Sequence, residues 1–251
     1  MRLDHVVIAV RDLGAASERL RGAGFDVRPG GRHVGFGTEN AICRFGLDYL
    51  ELITVRDEVE AERSSVRSRE LAQYLRRHES GYVGFALAGE DLDSVAARLR
   101  AAGVAVGDPT PMKRRRPDGI VLEWRLLIPG DVAWRRPWPF FIEWGMPDRE
   151  RLTLEAPGAH ANGATGIAGV SVAVRDLVRA RGLYRAVLGP SVHEGTGRSS
   201  FDADGVHIDV VAAGSDSPLL ERGPGPFEVR LRAPGAREPI EPLPAVRFTF
   251  E

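Results

Sequence analysis

The stretch LDHVVIAVRDLGAASERLRGAGFDV (residues 3–27) determines the architecture of the chain, because its order of signals returns twice. In it an apolar run leads into Asp-Leu, then a helical stretch, then Ala-Gly, and then a second short apolar run. Residues 81–106 read GYVGFALAGEDLDSVAARLRAAGVAV, and residues 166–192 read GIAGVSVAVRDLVRARGLYRAVLGPSV. Each of the three copies therefore predicts a strand, a helix and a second strand.

The predicted helices start after an aspartate and stop before a glycine. A short carboxylate at the N-cap accepts hydrogen bonds from the free N–H groups of the first turn. Glycine suits the left-handed conformation that often ends a helix. The aspartates are Asp12, Asp91 and Asp176, and the glycines are Gly24, Gly103 and Gly189.

Two further strands are predicted after each strand–helix–strand unit, so that every copy is a βαβββ module. They are expected at 41–45 and 49–55, at 120–128 and 139–144, and at 200–203 and 206–212. A fourth copy without room for its helix is expected at 226–232 and 246–250.

The modules group into two parts. We expect paired modules over 1–146, namely 1–55 and 80–146, joined by a charged helical linker at 56–79. A linker rich in Gly, Pro and Ala is expected at 147–164, and the third module with the eroded fourth over 165–251.

Composition restricts the possible partners and compartments. With 43% hydrophobic residues the 251-residue chain can build a sizeable core, and its formal net charge of -1 gives no pull towards nucleic acid or a membrane. The single cysteine, Cys43, excludes an internal disulfide and a multi-thiolate zinc site. The apolar run 6–10 is too short for a signal peptide or a membrane span, so we expect a soluble, cytoplasmic protein. The basic run 113–116 is expected to be a solvated hairpin tip rather than a nucleic-acid site.

Four motifs together resemble the glyoxalase-like family of the vicinal-oxygen-chelate (glyoxalase/bleomycin resistance/dioxygenase) superfamily. They are LDHVVIAVRDL (3–13), PGGRHVGFGTENAICRFG (29–46), YLELI (49–53) and PFFIEW (139–144). The resemblance covers roughly residues 1–146 well and implies an α+β fold in which repeated βαβββ modules form a curved mixed sheet around a cup, with helices on the outer face. It leaves the reaction open, because the superfamily contains isomerases, dioxygenases, epoxide-opening transferases and drug-binding proteins.

The resemblance implies a metal site formed by His5, Glu51 and Glu143. Tyr82 stands where the second module would supply its first ligand, and there we expect a hydrogen-bonding role in catalysis. The ion would be Zn, Ni, Co, Mn or Fe, with open positions for two adjacent substrate oxygens. By analogy Glu143 could leave the metal and act as general base. The third copy has Gly169 and Asp209 at the matching positions and is expected to be metal-free.

Alternation along the strands supports an inward orientation of the three ligands. His5 points away from the aliphatic face of residues 6–10, Glu51 lies between two leucines, and Glu143 lies between an isoleucine and a tryptophan. The alternatives are a hydrogen-bonded core histidine and glutamates in salt bridges, for example with Arg44 or Arg125.

Candidate substrate contacts come from a glycine-rich segment and from two arginines in apolar strands. Residues 29–40 lack the Lys-Ser/Thr of a phosphate-binding P-loop and are expected to form a loop over the cup mouth, or a plain connection. Arg44 and Arg125 could hold a carboxylate, or could be surface arginines. The loop candidates are Arg32, His33, Thr38 and Asn40; an apolar wall or ordinary core is expected from Trp134, Trp138, Phe140 and Phe141.

Three functions remain open on the sequence. The first is a metal-dependent lyase, isomerase or ring-opening enzyme that acts on a small molecule chelating the metal through vicinal oxygens. The second is a metal-free protein that binds and sequesters a small, antibiotic-like molecule. The third is a degenerate scaffold whose third copy mediates dimerisation, and a homodimer is accordingly a possible assembly.

Overall fold

A computed structural model describes residues 1–89, 91–130, 132–214, 217–235 and 237–251. It contains a closed eight-stranded barrel followed by an open seven-stranded sheet. The α+β class and the repeated βαβββ modules are confirmed. None of the helices in the described ranges has the length and apolar character needed to cross a bilayer.

The barrel closes in the order β1-β4-β3-β2-β6-β7-β8-β5, so that each module contributes four adjacent strands. The modules meet where β1 runs antiparallel to β5 and where β2 runs antiparallel to β6. The strands are β1 (Arg2–Val10), β2 (Arg28–His33), β3 (Thr38–Arg44), β4 (Tyr49–Val55), β5 (Ser80–Ala88), β6 (Thr110–Arg115), β7 (Val121–Leu127) and β8 (Phe140–Trp144).

The second sheet repeats the central part of this arrangement, with antiparallel β9 and β13 in the place of β1 and β5. Its order is β10-β11-β12-β9-β13-β15-β14. The strands are β9 (Gly166–Val174), β10 (His193–Glu194), β11 (Arg198–Asp202), β12 (His207–Ala212), β13 (Gly225–Arg232), β14 (Ile240–Leu243) and β15 (Val246–Phe250). The last three strands form the fourth copy, in which the described residues contain no helix.

The helices begin at the predicted caps. Asp12 accepts a hydrogen bond from the Ala15 amide at 2.9 Å, and Asp91 and Asp176 cap their helices in the same way. The helices are α1 (Leu13–Gly22), α2 (Glu58–Ser64), α3 (Val66–Arg77), α4 (Leu92–Ala101), α5 (Asp148–Leu154) and α6 (Leu177–Leu188), with a 3-10 turn at Pro218–Leu220.

Two apolar cores result from alternation along the barrel strands. Val6, Ile8 and Val10 of β1 face outward into a core that also contains α1, α4, α6 and the second sheet. Val7 and Ala9 face inward into a separate core that fills one end of the barrel. The predicted orientation of β1 is therefore confirmed.

The charged linker at 56–79 consists of two helices, not one surface helix. Leu71 and Leu75 of α3 are buried in the inner core of the barrel, and the indole nitrogen of Trp134 donates to the Arg67 carbonyl at 2.9 Å. Because α3 carries this apolar face, it closes the barrel end instead of lying on the surface.

Two segments expected to be loops are strands. Within 29–40, residues up to His33 form β2 and residues from Thr38 form β3, so a short turn replaces the expected loop over the cup mouth. Gly31 lets the backbones of β2 and β6 approach, since a side chain there would collide with the Arg115 carbonyl. In the basic run, residues 113–115 belong to β6 and Arg114 is buried, so only Arg116 reaches the turn.

Residues 147–164 include α5 and pack against the barrel. The His160 imidazole lies beside Phe45 with ring centroids 4.6 Å apart, and the Asn162 amide donates to the Ala23 carbonyl at 3.1 Å. Glu155, just after α5, pairs with Arg44 and Arg114 inside the barrel. These contacts fix the segment that connects the barrel to the second sheet.

Candidate functional site

An internal cavity of about 40 Å³ lies between the inner faces of the barrel strands and opens to solvent at its mouth. Its polar lining comes mostly from the first module and its apolar lining mostly from the second. The polar residues are His5, His33, Asn40, Tyr49, Glu51, Arg67 and Arg114; the apolar ones are Ile53, Trp124, Leu126, Trp134, Phe140, Ile142 and Trp144.

His5 enters this cavity from β1 and is held in one orientation. Its Nδ1 atom lies 2.8 Å from Asp4 Oδ1, and its ring stacks on Tyr49 with centroids 4.7 Å apart. A ring whose Nδ1 is engaged by a carboxylate presents Nε2 to the cavity, which is the arrangement found behind many metal-bound or proton-transferring histidines.

Asp4 is fully buried and takes part in a charged network behind His5. The Arg151 guanidinium and the Trp144 indole both donate to Asp4 Oδ2, at 3.1 and 3.0 Å. Burial alone would raise the pKa of Asp4, but the charge of Arg151 and the hydrogen bond with His5 hold that pKa far below its ordinary range. Asp4 is therefore a carboxylate at every pH of interest and orients the imidazole.

Glu51 faces the same space from β4, as alternation predicts. Its Oε1 accepts a hydrogen bond from the Asn40 amide at 2.5 Å, and its Oε2 lies 3.5 Å from His5 Nε2. Burial by itself would raise the pKa of Glu51. The neighbouring His5 and His33 and the Asn40 hydrogen bond have the opposite and larger effect, so the pKa is lowered overall. Glu51 is therefore an anion in the cavity.

His33, at the end of β2, approaches Glu51 from the other side. Its Nε2 lies 3.8 Å from Glu51 Oε1, and its Nδ1 lies 2.9 Å from the hydroxyl of Thr38. Burial lowers the pKa of His33 to about 4, even though the Glu51 charge opposes that change. A neutral imidazole with one free nitrogen thus faces the carboxylate.

Four predicted residues therefore come together, because His5, His33, Asn40 and Glu51 all line the cavity. Thr38 lies directly behind His33. Their meeting follows from register, since neighbouring strands β1, β4, β3 and β2 alternate in the same phase.

Glu143 does not join them, which corrects the predicted ligand set and the predicted general base. Its carboxylate lies on the outer face of β8, where Arg125 donates to it at 2.8 Å and the Leu92 amide donates at 2.9 Å. On β8 the apolar residues Ile142 and Trp144 line the cavity. The inner side of the second module carries mostly apolar side chains. The polar side of β8 therefore faces outward, whereas the polar side of β4 faces the cavity.

Tyr82 is also turned away from the cavity, which corrects its predicted catalytic role. It is buried in the outer core, and its hydroxyl donates to the Arg247 carbonyl at 2.7 Å. This contact joins the barrel to the second sheet. The pairing of β1 with β5 contains two irregularities, which change the phase of alternation between the two strands.

The three predicted arginine contacts lie outside the cavity lining. Arg32 is exposed and pairs weakly with Glu39 at 3.9 Å, and Arg125 forms the outer ion pair just described. Arg44 is buried below Tyr49, with its guanidinium carbon 4.5 Å from the ring centroid, and is held by Glu155 at 2.6 Å. None of the three has a free guanidinium directed at the cavity.

The four aromatic residues expected to form an apolar wall or ordinary core divide between the two. Trp134 and Phe140 line the cavity. Phe141 belongs to the outer core, and the Trp138 indole donates to the Pro129 carbonyl at 3.3 Å outside the cavity.

Sequence reasoning missed Asp4, Arg67, Arg114 and Trp124. Asp4 directly precedes His5, and Arg114 alternates with Met112, so both had a weak sequence signal. Arg67 had none, because its position depends on how α3 closes the barrel.

The family resemblance implies a divalent ion, and the cavity can be tested for its fit. Ligands bound at about 2.0–2.2 Å to one ion stand roughly 3–3.5 Å apart. His5 Nε2 and His33 Nε2 lie 3.5 and 3.8 Å from the two oxygens of Glu51. In the described ranges no group of three or more His, Cys, Asp or Glu side chains is arranged to hold a metal ion. The His5–Glu51 and His33–Glu51 pairs lie at or just beyond that spacing, and imidazole and carboxylate donors suit a divalent ion.

Comparisons with known proteins agree with the fold. The family model described as "Glyoxalase-like domain" matches residues 3–188. No relative was found among curated proteins.

Solved structures share the architecture at low sequence identity. A hypothetical protein from Staphylococcus aureus is 17% identical, with a TM-score of 0.77 over 100% of this chain and 99% of that one. The Mn(II)-bound glyoxalase from Novosphingobium aromaticivorans is 12% identical, with a TM-score of 0.56 over 93% of this chain and 66% of that one. A mutant 4-hydroxymandelate synthase from Streptomyces coelicolor is 17% identical, with a TM-score of 0.57 over 92% and 71%.

These likenesses show the fold, and the match to the family model covers most of the sequence. The chain belongs to the glyoxalase-like domain family.

Proposed function

We propose that the protein is a metal-dependent enzyme that acts on a small molecule inside the barrel, with His5, His33 and Glu51 as ligands of a divalent ion. The observation that carries the proposal is that two imidazole Nε2 atoms flank one buried carboxylate, at 3.5 and 3.8 Å. Both rings are held from behind, by Asp4 and by Thr38. This set replaces the one with Glu143.

The candidate ions are still Zn, Ni, Co, Mn or Fe, because imidazole and carboxylate ligands suit all of them. A fold neighbour contains Mn(II), which supports the proposal. When bound, such an ion supplies Lewis acidity to a pair of adjacent substrate oxygens.

The chain's own groups have separate roles in this proposal. Glu51 is the single carboxylate that lines the cavity in the described part of the chain, so proton transfer to a carboxylate is assigned to it. Asp4 holds the His5 ring, and the indole and phenyl walls exclude water and strengthen every charge interaction inside. A lyase, isomerase or ring-opening reaction would use these roles.

The test is elemental analysis of protein purified without a histidine tag. We expect stoichiometric metal in the wild type and a loss of about tenfold or more in metal affinity in His5→Ala and Glu51→Gln, since each removes a ligand. Glu143→Gln and the exposed His193→Ala are the matched controls and should keep the metal.

Two results would contradict the proposal. One is a wild type that takes up no divalent ion when Zn, Mn or Ni is supplied. The other is equal loss of metal in Glu51→Gln and Glu143→Gln, which would show that the cavity is not the metal site.

A metal-free binding protein is the second candidate, favoured by the apolar wall of Trp124, Leu126, Trp134, Phe140 and Ile142. Such a wall suits a planar ligand without any chemistry. That function predicts ligand binding without metal and undiminished binding in His5→Ala.

A further inference from the structure

Arg67, in the first turn of α3, reaches the cavity, and no described carboxylate pairs with its positive charge. No carboxylate oxygen of a described residue lies within 4.0 Å of its guanidinium. Among the described residues, the Arg67 guanidinium donates one weak hydrogen bond, to the Met112 sulfur at 3.6 Å. Burial lowers the pKa of Arg67 to about 10, with Glu51 the one charge that opposes this. The guanidinium is thus still a cation, and it has donors to spare.

The surroundings of Arg67 carry more positive than negative charge, even with Glu70 counted as a carboxylate near Arg136. Arg114 and Arg44 share the single carboxylate of Glu155, which leaves one positive charge over. Arg136 is buried on the other side of Phe140, with its guanidinium carbon 5.6 Å from the ring centroid, and two of its nitrogens have no partner among the described residues. Because Glu51 is the one negative charge among the described residues of the lining, the cavity favours an anion.

Aromatic side chains border the guanidinium of Arg67. Its carbon lies 5.7 Å from the Phe36 ring centroid and 5.9 Å from that of Trp134. The Phe36 and Trp134 rings hold the Arg67 side chain at one end of an apolar wall. Glu51, His5 and His33 line the same cavity. A ligand bound here would meet a cation at one end and a flat apolar surface along its body.

We propose that the cavity binds a small organic monocarboxylate, whose carboxylate pairs with Arg67 and whose apolar or aromatic body lies against Trp124, Trp134 and Phe140. Arginine presents paired N–H donors that match a carboxylate. The inference rests on the proposed function for the chemistry at Glu51, but the binding step stands on Arg67 and the apolar wall. Arg67 thus takes the carboxylate-binding role that the sequence suggested for Arg44 and Arg125, whose charges are already paired.

The test uses phenylacetate and its uncharged analogue phenylacetamide, titrated into the 251-residue protein while the tryptophan fluorescence, to which Trp124 and Trp134 contribute, is followed. We expect the wild type to bind phenylacetate about tenfold or more tightly than phenylacetamide, because a hydrogen bond to a charged group is at stake. Arg67→Gln should remove that preference and leave phenylacetamide binding unchanged. Arg77→Gln, an exposed arginine of the same helix, should keep it.

Equal binding of the two probes by the wild type, or no binding of phenylacetate, would overturn the proposal. So would an Arg67→Gln variant that keeps the preference. If Arg67→Gln does not fold, two other measurements decide the matter. One is the same titration of Arg67→Lys, which keeps the charge without the paired donors. The other is the comparison of the two probes in the wild type. Titrations with EDTA and with added Zn separate the two proposals. A preference that persists without metal supports the carboxylate site, even if the metal proposal fails.

Discussion

Asp209 on β12 occupies in the second sheet the position that Glu51 occupies in the barrel. Asp209 pairs with Ser171 of β9 just as Glu51 pairs with Val7 of β1. Its carboxylate accepts from the Ser200 hydroxyl at 2.5 Å and is paired with Arg198 at 2.8 Å and with Arg230 at 3.3 Å.

Gly169 stands at the position of His5 in this copy, and the missing side chain leaves the room that the Arg230 guanidinium takes. The same module position is therefore a cavity wall in one unit and a closed ion pair in the other. The neighbours of a carboxylate, not its place in the repeat, decide its role.

The Asp209 ion pairs make the stability of the protein depend on pH. Burial raises the pKa of Asp209, but the hydrogen bonds from Arg198 and Ser200 and the arginine charges lower it overall, below the ordinary 3.8. The unfolded chain then takes up a proton first as the pH falls. The stabilisation is present above the ordinary pKa and is lost as the pH falls through the folded-state pKa.

We expect Asp209→Asn to lower the free energy of unfolding by about 1.5–3 kcal/mol at pH 7. Its difference from the wild type should shrink towards pH 3. Urea unfolding at both pH values measures this, with the exposed Asp108→Asn as control. A difference that does not change with pH would contradict the assignment.

At the scale of elements, the short helix α5 and the residue after it link the two ends of a buried charge network. Arg151 of α5 is fully buried, pairs with Asp4, and lies 3.7 Å over the Trp144 ring. Glu155 is 10% exposed and bridges Arg44 and Arg114, which are buried. A segment with the composition of a linker therefore closes the barrel behind the site.

Glu155→Gln should destabilise the protein by roughly 3–5 kcal/mol, because it leaves two buried guanidinium groups without a carboxylate. The measurement is urea unfolding followed by circular dichroism. Glu150→Gln, an exposed glutamate of the same helix, should change the free energy of unfolding by no more than about 0.5 kcal/mol. Equal effects of the two variants would show that the buried network contributes little.

At the scale of the whole molecule, the barrel and the second sheet share one apolar core. Phe248 of β15 lies 6.2 Å from Tyr82 of β5 and 5.2 Å from Phe25, between ring centroids. Arg135 donates to the carbonyls of Pro226 and Gly223 across the junction, the former at 2.7 Å. The outer face of β5 is therefore covered by the third and fourth copies of the repeat.

A chain truncated after residue 160 should not form a stable barrel, because removing the second sheet exposes this outer core to water. We expect aggregation, or a loss of cooperative thermal unfolding in circular dichroism. The full-length chain is the reference, and Tyr82→Phe, which removes only the hydrogen bond to Arg247, should cost about 1 kcal/mol. A monomeric truncated protein with a sharp unfolding transition would show that the barrel is independent.

The sequence by itself determined the repeat, the helix caps, the first and the last two strands of each βαβββ module, and the inward orientation of His5 and Glu51. These depend on local periodicity and on capping chemistry, which act over a few residues. It also indicated Asn40 and His33, although as parts of a loop, because the glycines of β2 resemble turn residues.

Only the tertiary structure decided which face of β8 is the inner one and therefore where Glu143 and Arg125 lie. Alternation along a strand predicts that its two faces differ. Packing against the rest of the molecule decides which face points inward. Arg67 and Glu155 became part of the cavity surroundings through the docking of α3 and α5, which brings together residues far apart in the chain. Such contacts depend on the assembled barrel, and no local pattern contains them.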